Sequence, residues 1–441
     1  MTTGTFRLIE QAWHTADIAG PAALGYARLC LLDWLGVTVA GAGEPVVDVL
    51  VADCETIGAG HRLIGRRETA SLRDAVLING AAGHALDYDD GMGAMMGHPS
   101  VAILPSLILL AAGRGIAGER LSRAVVAGME AAGRIGLMLG QEHYFRGFHG
   151  TGTVGAMGGA LAAAYLLDLD AGRSSVALGL AATRAAGLKA SFGTDGKPLH
   201  AAWAALIAHT AALWAEKGMS GAADIVGHAQ GLSALADDFD AERGLAPLPA
   251  PLVQTVNFKY HAACAITHPA IDGVLAVRGR RQTGGDAVES VVLEVAEAAD
   301  NICNIPAPSS GLELKFSLRG VTAMALAGLD TASPGSFGEA ALADGQVRRL
   351  IANTDVRLDP ALALGQTRVT LRFADGSTER AEGSLEQFER DPVVLGERLG
   401  AKFAALVGPV AGEEVARTLS TEILDTESGP DAGRILSHLQ E

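Results

Sequence analysis

Gln366-Thr-Arg-Val-Thr-Leu-Arg-Phe373, followed at once by Ala374-Asp375-Gly376, is the stretch that decides the fold class. Val369, Leu371 and Phe373 alternate with Arg368, Thr370 and Arg372, the two-residue period of a half-buried strand, and the Asp-Gly pair marks a hairpin turn. Ser290 to Val295 alternates in the same way. Before about residue 235 the texture is different: Ala, Leu and Gly dominate, and apolar residues recur at i, i+3 and i+4. Pro21 to Gly41, Ser71 to Asp87, Arg120 to Gly140, Thr151 to Leu167 and Ser174 to Leu188 are each long enough for several helical turns, with Gly and Pro punctuating the gaps. Pro392 to Leu439 returns to helical spacing through Leu395, Leu399, Phe403 and Val407. These patterns predict a mainly α chain with a second, α+β domain. A large all-helical domain takes residues 1–262 and 390–441, and a smaller α+β domain takes residues 263–389.

The chain has 441 residues, with 34 Lys plus Arg against 50 Asp plus Glu, a formal charge of −16 that disfavours nucleic acid as a partner. Aromatics make up only 5% while Gly counts 56, so the interior must be built from small residues packed at short distances. Cys30, Cys54, Cys264 and Cys303 are scattered, without a C-x-x-C or a histidine at zinc-site spacing, which predicts neither a disulfide scaffold nor a structural metal. Met1 to Arg7 has no signal-peptide character, and Pro or Gly interrupts the apolar stretches short of about 18 residues. The expectation is a cytoplasmic protein with no membrane partner.

Four polar islands interrupt the apolar texture. The first is His84-Ala-Leu-Asp87-Tyr88-Asp89-Asp90, then a Gly/Met loop and His98-Pro99-Ser100. Imidazoles beside carboxylates serve proton transfer or bind a divalent cation; taken alone, the same cluster also reads as an acidic helix end. The second runs from His143-Tyr144 to Phe148-His149-Gly150-Thr151, with Thr151 a plausible N-cap for the Gly/Ala-rich helix that follows and His149 placed beside its anion-attracting end. The third, Gly193-Thr194-Asp195-Gly196-Lys197-Pro198-Leu199-His200, holds one of only three lysines before Asn257. It lacks P-loop spacing, and no Gly-rich fingerprint follows a strand, so a nucleotide cofactor is not indicated. The fourth, Lys259 to His268 with Cys264 between them, falls where helical texture gives way to strands, and Leu314-Lys315-Phe316-Ser317-Leu318-Arg319-Gly320 adds two further cations. Cations converging on an interdomain cleft would suit a substrate with several carboxylates.

In this order, the islands resemble the MmgE/PrpD family, which includes 2-methylcitrate dehydratase, cis-aconitate decarboxylase and iminodisuccinate epimerase. The resemblance spans nearly the whole chain. Its most specific pieces are Asn79-Gly80 through Asp90 with His98-Pro99-Ser100, His143-Tyr144 to His149, and Gly193-Thr194 with Lys197-Pro198-Leu199-His200. It implies a homodimer with a cleft between the two domains, and a cofactor-independent lyase acting on a small di- or tricarboxylic acid, foremost by eliminating water. Decarboxylation, epimerisation and carboxylate binding without turnover are the alternatives. The family's cleft would hold Asp87, His98, Tyr144, His149 and Lys197 as catalytic residues, with Lys259 and His268 binding substrate from the junction; the islands add Arg319, His200 and Cys264 as substrate-binding candidates, and no metal is expected. Where relatives usually read Lys-x-Tyr-Pro-Cys-Cys, this chain has Lys259-Tyr260-His261-Ala262-Ala263-Cys264. Where many have Lys-Phe-Ser-Leu-Pro-Tyr, it has Lys315 to Gly320, losing a tyrosine and gaining Arg319.

Overall fold

A computed structural model describes residues 3–281, 285–385, 389–424 and 429–439. Its helices of ten or more residues are α1 (Gly4–Asp17), α2 (Pro21–Gly41), α3 (Leu72–Ala85), α4 (Pro99–Arg114), α5 (Glu119–Phe145), α6 (Gly150–Leu166), α7 (Ala171–Ala182), α8 (Gly196–Glu216), α9 (His268–Arg281), α10 (Leu318–Ala327), α11 (Pro392–Ala411) and α12 (Glu413–Leu424). The strands of the larger sheet are β1 (Val288–Val295), β2 (Thr354–Leu358), β3 (Gln366–Phe373) and β4 (Thr378–Ser384). A short antiparallel ribbon, His61–Arg62 with Thr69–Ala70, interrupts the otherwise helical first half.

Small residues set the helix spacing. A Cβ on Gly128 of α5 would lie 2.6 Å from Ala162 Cβ of α6, and one on Gly158 would lie 2.6 Å from Ala132 Cβ, so these two helices touch almost backbone to backbone. At that contact any larger side chain would force the helices apart and open voids on either side. α5 also bends where the sequence reading ends it, since Gly140 has φ 66° and separates a long helix from a final turn that carries His143 and Tyr144. α7 stops at Ala182, short of the expected Leu188. Thr183 and Arg184 form a turn, and Gly187 at φ 132° lies outside helical space.

α2 corrects a further expectation, for it is long and apolar enough to cross a membrane by length and composition. Its proline sits at the first turn, where no N–H bond is lost, and its internal glycines do not break it. In the fold α2 is buried and carries Asp33 on its inner surface. Phe403 of α11 fills the space beside Gly36, 2.9 Å from where a Cβ would stand.

The smaller sheet has the order β2-β1-β3-β4, with β1 parallel to β2 and antiparallel to β3, and β3 antiparallel to β4. Thr367, Val369, Leu371 and Phe373 point inward, against α9. Gly376, at φ 79°, closes the β3–β4 hairpin where Asp-Gly stands in the sequence. After the sheet the chain returns: Leu395, Leu399, Phe403 and Val407 are buried in the same apolar cluster as α1 to α6, whereas the sheet, α9 and α10 form a second cluster. The ends of α3, α5 and α8 meet this second cluster along a cleft.

Candidate active site

His84 occupies the last turn of α3, and the chain then turns sharply because Asp87 adopts a left-handed conformation, φ 50°. Aspartate tolerates that region better than most residues, and here it drives its carboxylate back toward the helix it has just left. Two lysines from distant elements converge on it. Lys197 in the first turn of α8 donates to Asp87 Oδ1 at 2.6 Å and to His84 Nε2 at 2.9 Å. Lys259 donates to Asp87 Oδ1 at 3.0 Å and to its backbone carbonyl at 2.7 Å. Because Lys197 donates to Nε2, the His84 proton resides on Nδ1, which lies 2.9 Å from both Asp89 oxygens. Lys197 therefore sits inside a buried helix turn, and its charge is shared along an Asp89–His84–Lys197–Asp87–Lys259 chain.

His98 completes the first island. Its Nδ1 donates to the Asp90 carbonyl at 2.7 Å, and its backbone N–H donates to Thr151 Oγ1 at 2.9 Å. That second bond corrects the capping expectation: α6 begins at Gly150 with His149 as its N-cap, and the Thr151 hydroxyl ties the first island to the second. His149 Nδ1 lies 3.1 Å from His200 Nδ1, while His149 Nε2 is buried without a partner. Asp87 Oδ2 is likewise buried and unpartnered. Both residues line a cavity of about 500 Å³ together with His98, Tyr144, Lys197, Lys259, Cys264 and His268. Two unsatisfied polar atoms on one cavity are what a site waiting for a polar ligand presents, since leaving them unpaired costs free energy.

Burial dominates the electrostatics. It pushes His149 well below the ordinary imidazole value, and the Lys197 charge adds to the effect. His98 is well below for the same first reason, and His200 falls to about 4. Burial raises Asp87, but Lys197 and Lys259 outweigh it and hold that carboxylate ionised, well below its usual range. Lys259 is lowered by burial and raised more by Asp87 and Asp89, so it stays charged. Asp90 is the exception: burial beside Asp33 lifts it to about 8, and Ser100 Oγ donates to it at 2.5 Å. His84, Asp87, Asp89 and His98 place ligand-type atoms within 4.8 Å of one another. Lys197 already occupies His84 Nε2 and Asp87 Oδ1, and an ammonium group among the ligands repels a metal cation. The arrangement suits an anion.

The sequence profiles of the MmgE/PrpD N-terminal and C-terminal domains match residues 12–242 and 261–427. The chain belongs to the MmgE/PrpD family. Curated relatives carry the name cis-aconitate decarboxylase. The human protein is 29% identical over 69% of this chain and 66% of its own length, just under two thirds. The mouse protein is 28% identical over 81% of this chain and 76% of its own length, and the Aspergillus terreus protein 25% identical over 94% and 91%.

Within this MmgE/PrpD fold most of the residues expected in the cleft are found together, and Arg319 is not. Its Nη1 donates to Asn304 Oδ1 at 2.6 Å and its Nε to the Thr354 carbonyl at 3.2 Å. It borders a separate surface cavity with Pro308 and Arg348. α10 points Arg319 at the edge strand β2, and the residues that approach the site from that segment are Lys315 and Phe316. Lys315, buried and lowered to about 8, donates to the Leu86 carbonyl at 2.6 Å. His268 lines the cavity, yet its Nε2 lies 3.2 Å from the Ala263 carbonyl, and His200 stands behind His149 instead of facing substrate space. His84, Asp89 and Lys315 stand in the polar segments of the sequence without a role assigned to them in the cleft, and Phe192 and Phe316 carry no such mark. Of these His84 had a signal, since it lies three residues before Asp87 at the end of a helix.

Proposed function

We propose that the chain is a lyase acting on a small di- or tricarboxylic acid, with loss of carbon dioxide from an unsaturated acid as the leading reaction and loss of water as the alternative. The observation that carries the reading is the pair of buried, unpartnered atoms, His149 Nε2 and Asp87 Oδ2, on a cavity that also presents Lys197 and Lys259. When a C–C bond to a carboxylate breaks, the electron pair spreads through the neighbouring double bond onto a second carboxylate, and one carbon takes up a proton. Fixed ammonium groups stabilise the spreading charge, and because the lysines are held by Asp87 and His84 little reorganisation is needed. Lys197 can supply the proton. Loss of water requires in addition a base at carbon, and the neutral His149 imidazole is disposed for it. The names of the relatives favour decarboxylation.

Incubation with cis-aconitate, alkyl-substituted unsaturated dicarboxylic acids, citrate and succinate-type acids in deuterated water, followed by NMR, tests the reading. Release of carbon dioxide with one deuteron incorporated is expected; release of water instead supports the alternative. Deuterium entering an otherwise unchanged skeleton would establish epimerisation and overturn both.

A further inference from the structure

The cations that the sequence brings toward the cleft are largely consumed by the protein itself. Lys197 and Lys259 share one oxygen of Asp87. Lys315 is turned to a backbone carbonyl, and Arg319 stands on another cavity. Arg390, at the mouth, donates to the Val256 carbonyl and to Asn257 Oδ1. The histidines beside the substrate space are kept neutral by burial. Apart from Arg390, the charge lining the cavity is therefore two ammonium groups against one carboxylate. A compact tricarboxylate would bring three negative charges to a surplus of one positive charge, and buried charge without a partner is costly.

Beside Gln141, Tyr144 and Asn257, much of the remaining wall is apolar. Ile302 and Phe316 are 7% and 2% exposed, and Met96, Phe192, Ile266 and Leu364 are half-buried against the second core cluster, with part of each left facing the cavity. Ile266, Ile302, Phe316 and Leu364 come from the smaller-domain side of the cleft, Met96 and Phe192 flank His149 and the start of α6, and a cavity of about 500 Å³ exceeds what a compact polycarboxylic acid fills.

We propose that the substrate presents no more than two carboxylates to Lys197 and Lys259 and carries an apolar chain of several carbons that lies along Ile266, Ile302 and Phe316. The proposal rests on the lyase reading only in taking this cavity as the substrate site. Calorimetric titration with succinate, methylsuccinate, butylsuccinate, hexylsuccinate and tricarballylate tests it by binding alone. Each added methylene is expected to tighten binding by about fourfold up to butyl, with tricarballylate weaker than butylsuccinate. Ile266→Arg and, separately, Ile302→Arg should reverse that order, with the fold of each checked by circular dichroism. Tighter binding of tricarballylate to the unaltered protein, an affinity independent of chain length, or no binding of any of the five acids overturns the proposal. Turnover is scored separately: graded binding of the alkyl acids with no chemistry on any acid removes the lyase reading and leaves this one standing.

Discussion

His149 has one nitrogen engaged by His200 and the other bare on the cavity. A side chain so placed contributes most when the bare nitrogen meets substrate, so for loss of water, where His149 is the base at carbon, His149→Ala should lower kcat by on the order of 10² or more, the range for a lost acid–base group. Sign matters for pH. Burial and Lys197 push His149 down, the neutral form is the base, and kcat/KM should therefore stay level through the ordinary imidazole pKa of about 6.5 and fall only at more acid pH. An acid limb at about 6.5 in the pH–rate profile would exclude His149 as that base. At this scale the sequence was legible where polar residues interrupt apolar helices, which is how Asp87, His98, His149 and Lys197 stand out. It was silent on which hydrogen bonds those residues make with each other. Nothing in the spacing of Lys197 and Lys259 says that both end on one oxygen of Asp87, and nothing in the Lys315 segment says that Arg319 turns away while Lys315 turns in.

Among the elements, α11 carries an instruction that its apolar stripe conceals. Leu395, Leu399, Phe403 and Val407 read as a buried helical face and are one. Lys402 lies beside that stripe, buried, and donates to Asp33 Oδ1 of α2 at 2.6 Å and to the carbonyls of Tyr88 and Lys259 at 2.9 Å each. Those two carbonyls belong to the turns that present Asp87 and Lys259 to the cleft. Lys402→Met should destabilise the protein by roughly 3–5 kcal/mol, because Asp33 is left as a buried charge without its partner. Combining it with Asp33→Asn should recover much of that loss, and denaturant unfolding of the two single variants and the double variant measures the coupling. Equal, additive losses would show that the pair is not a unit. The strands were legible from their alternation and the hairpin from Asp-Gly. The break at Gly140 was legible as a helix end, whereas the further turn carrying His143 and Tyr144 and the early end of α7 were not, because the helical pattern runs on past both.

For the molecule as a whole, the family resemblance implies a pair of chains, and α8 offers a surface for it: Trp203 and Trp214 are 50% and 37% exposed on its outer side. Large apolar residues on one exposed helix are uncommon unless something covers them. Sedimentation velocity at micromolar concentration should give a mass of two chains, and Trp203→Glu should shift it toward one; a single-chain mass for the unaltered protein would refute the pairing. The division into a helical body and a smaller sheet was readable from composition, since alternation and 3.6-residue spacing occupy different stretches. The return of the chain to its starting body was readable as well. What that return does to the site was not, and it concerns the order of synthesis. Lys402 is made 314 residues after Tyr88, whose carbonyl it holds. At roughly 5–20 residues per second, the turn that presents Asp87 spends about 15–60 s on the ribosome before the cation that fixes it exists. A nascent chain can thus bury most of its helices early and still have no working cleft until α11 has emerged.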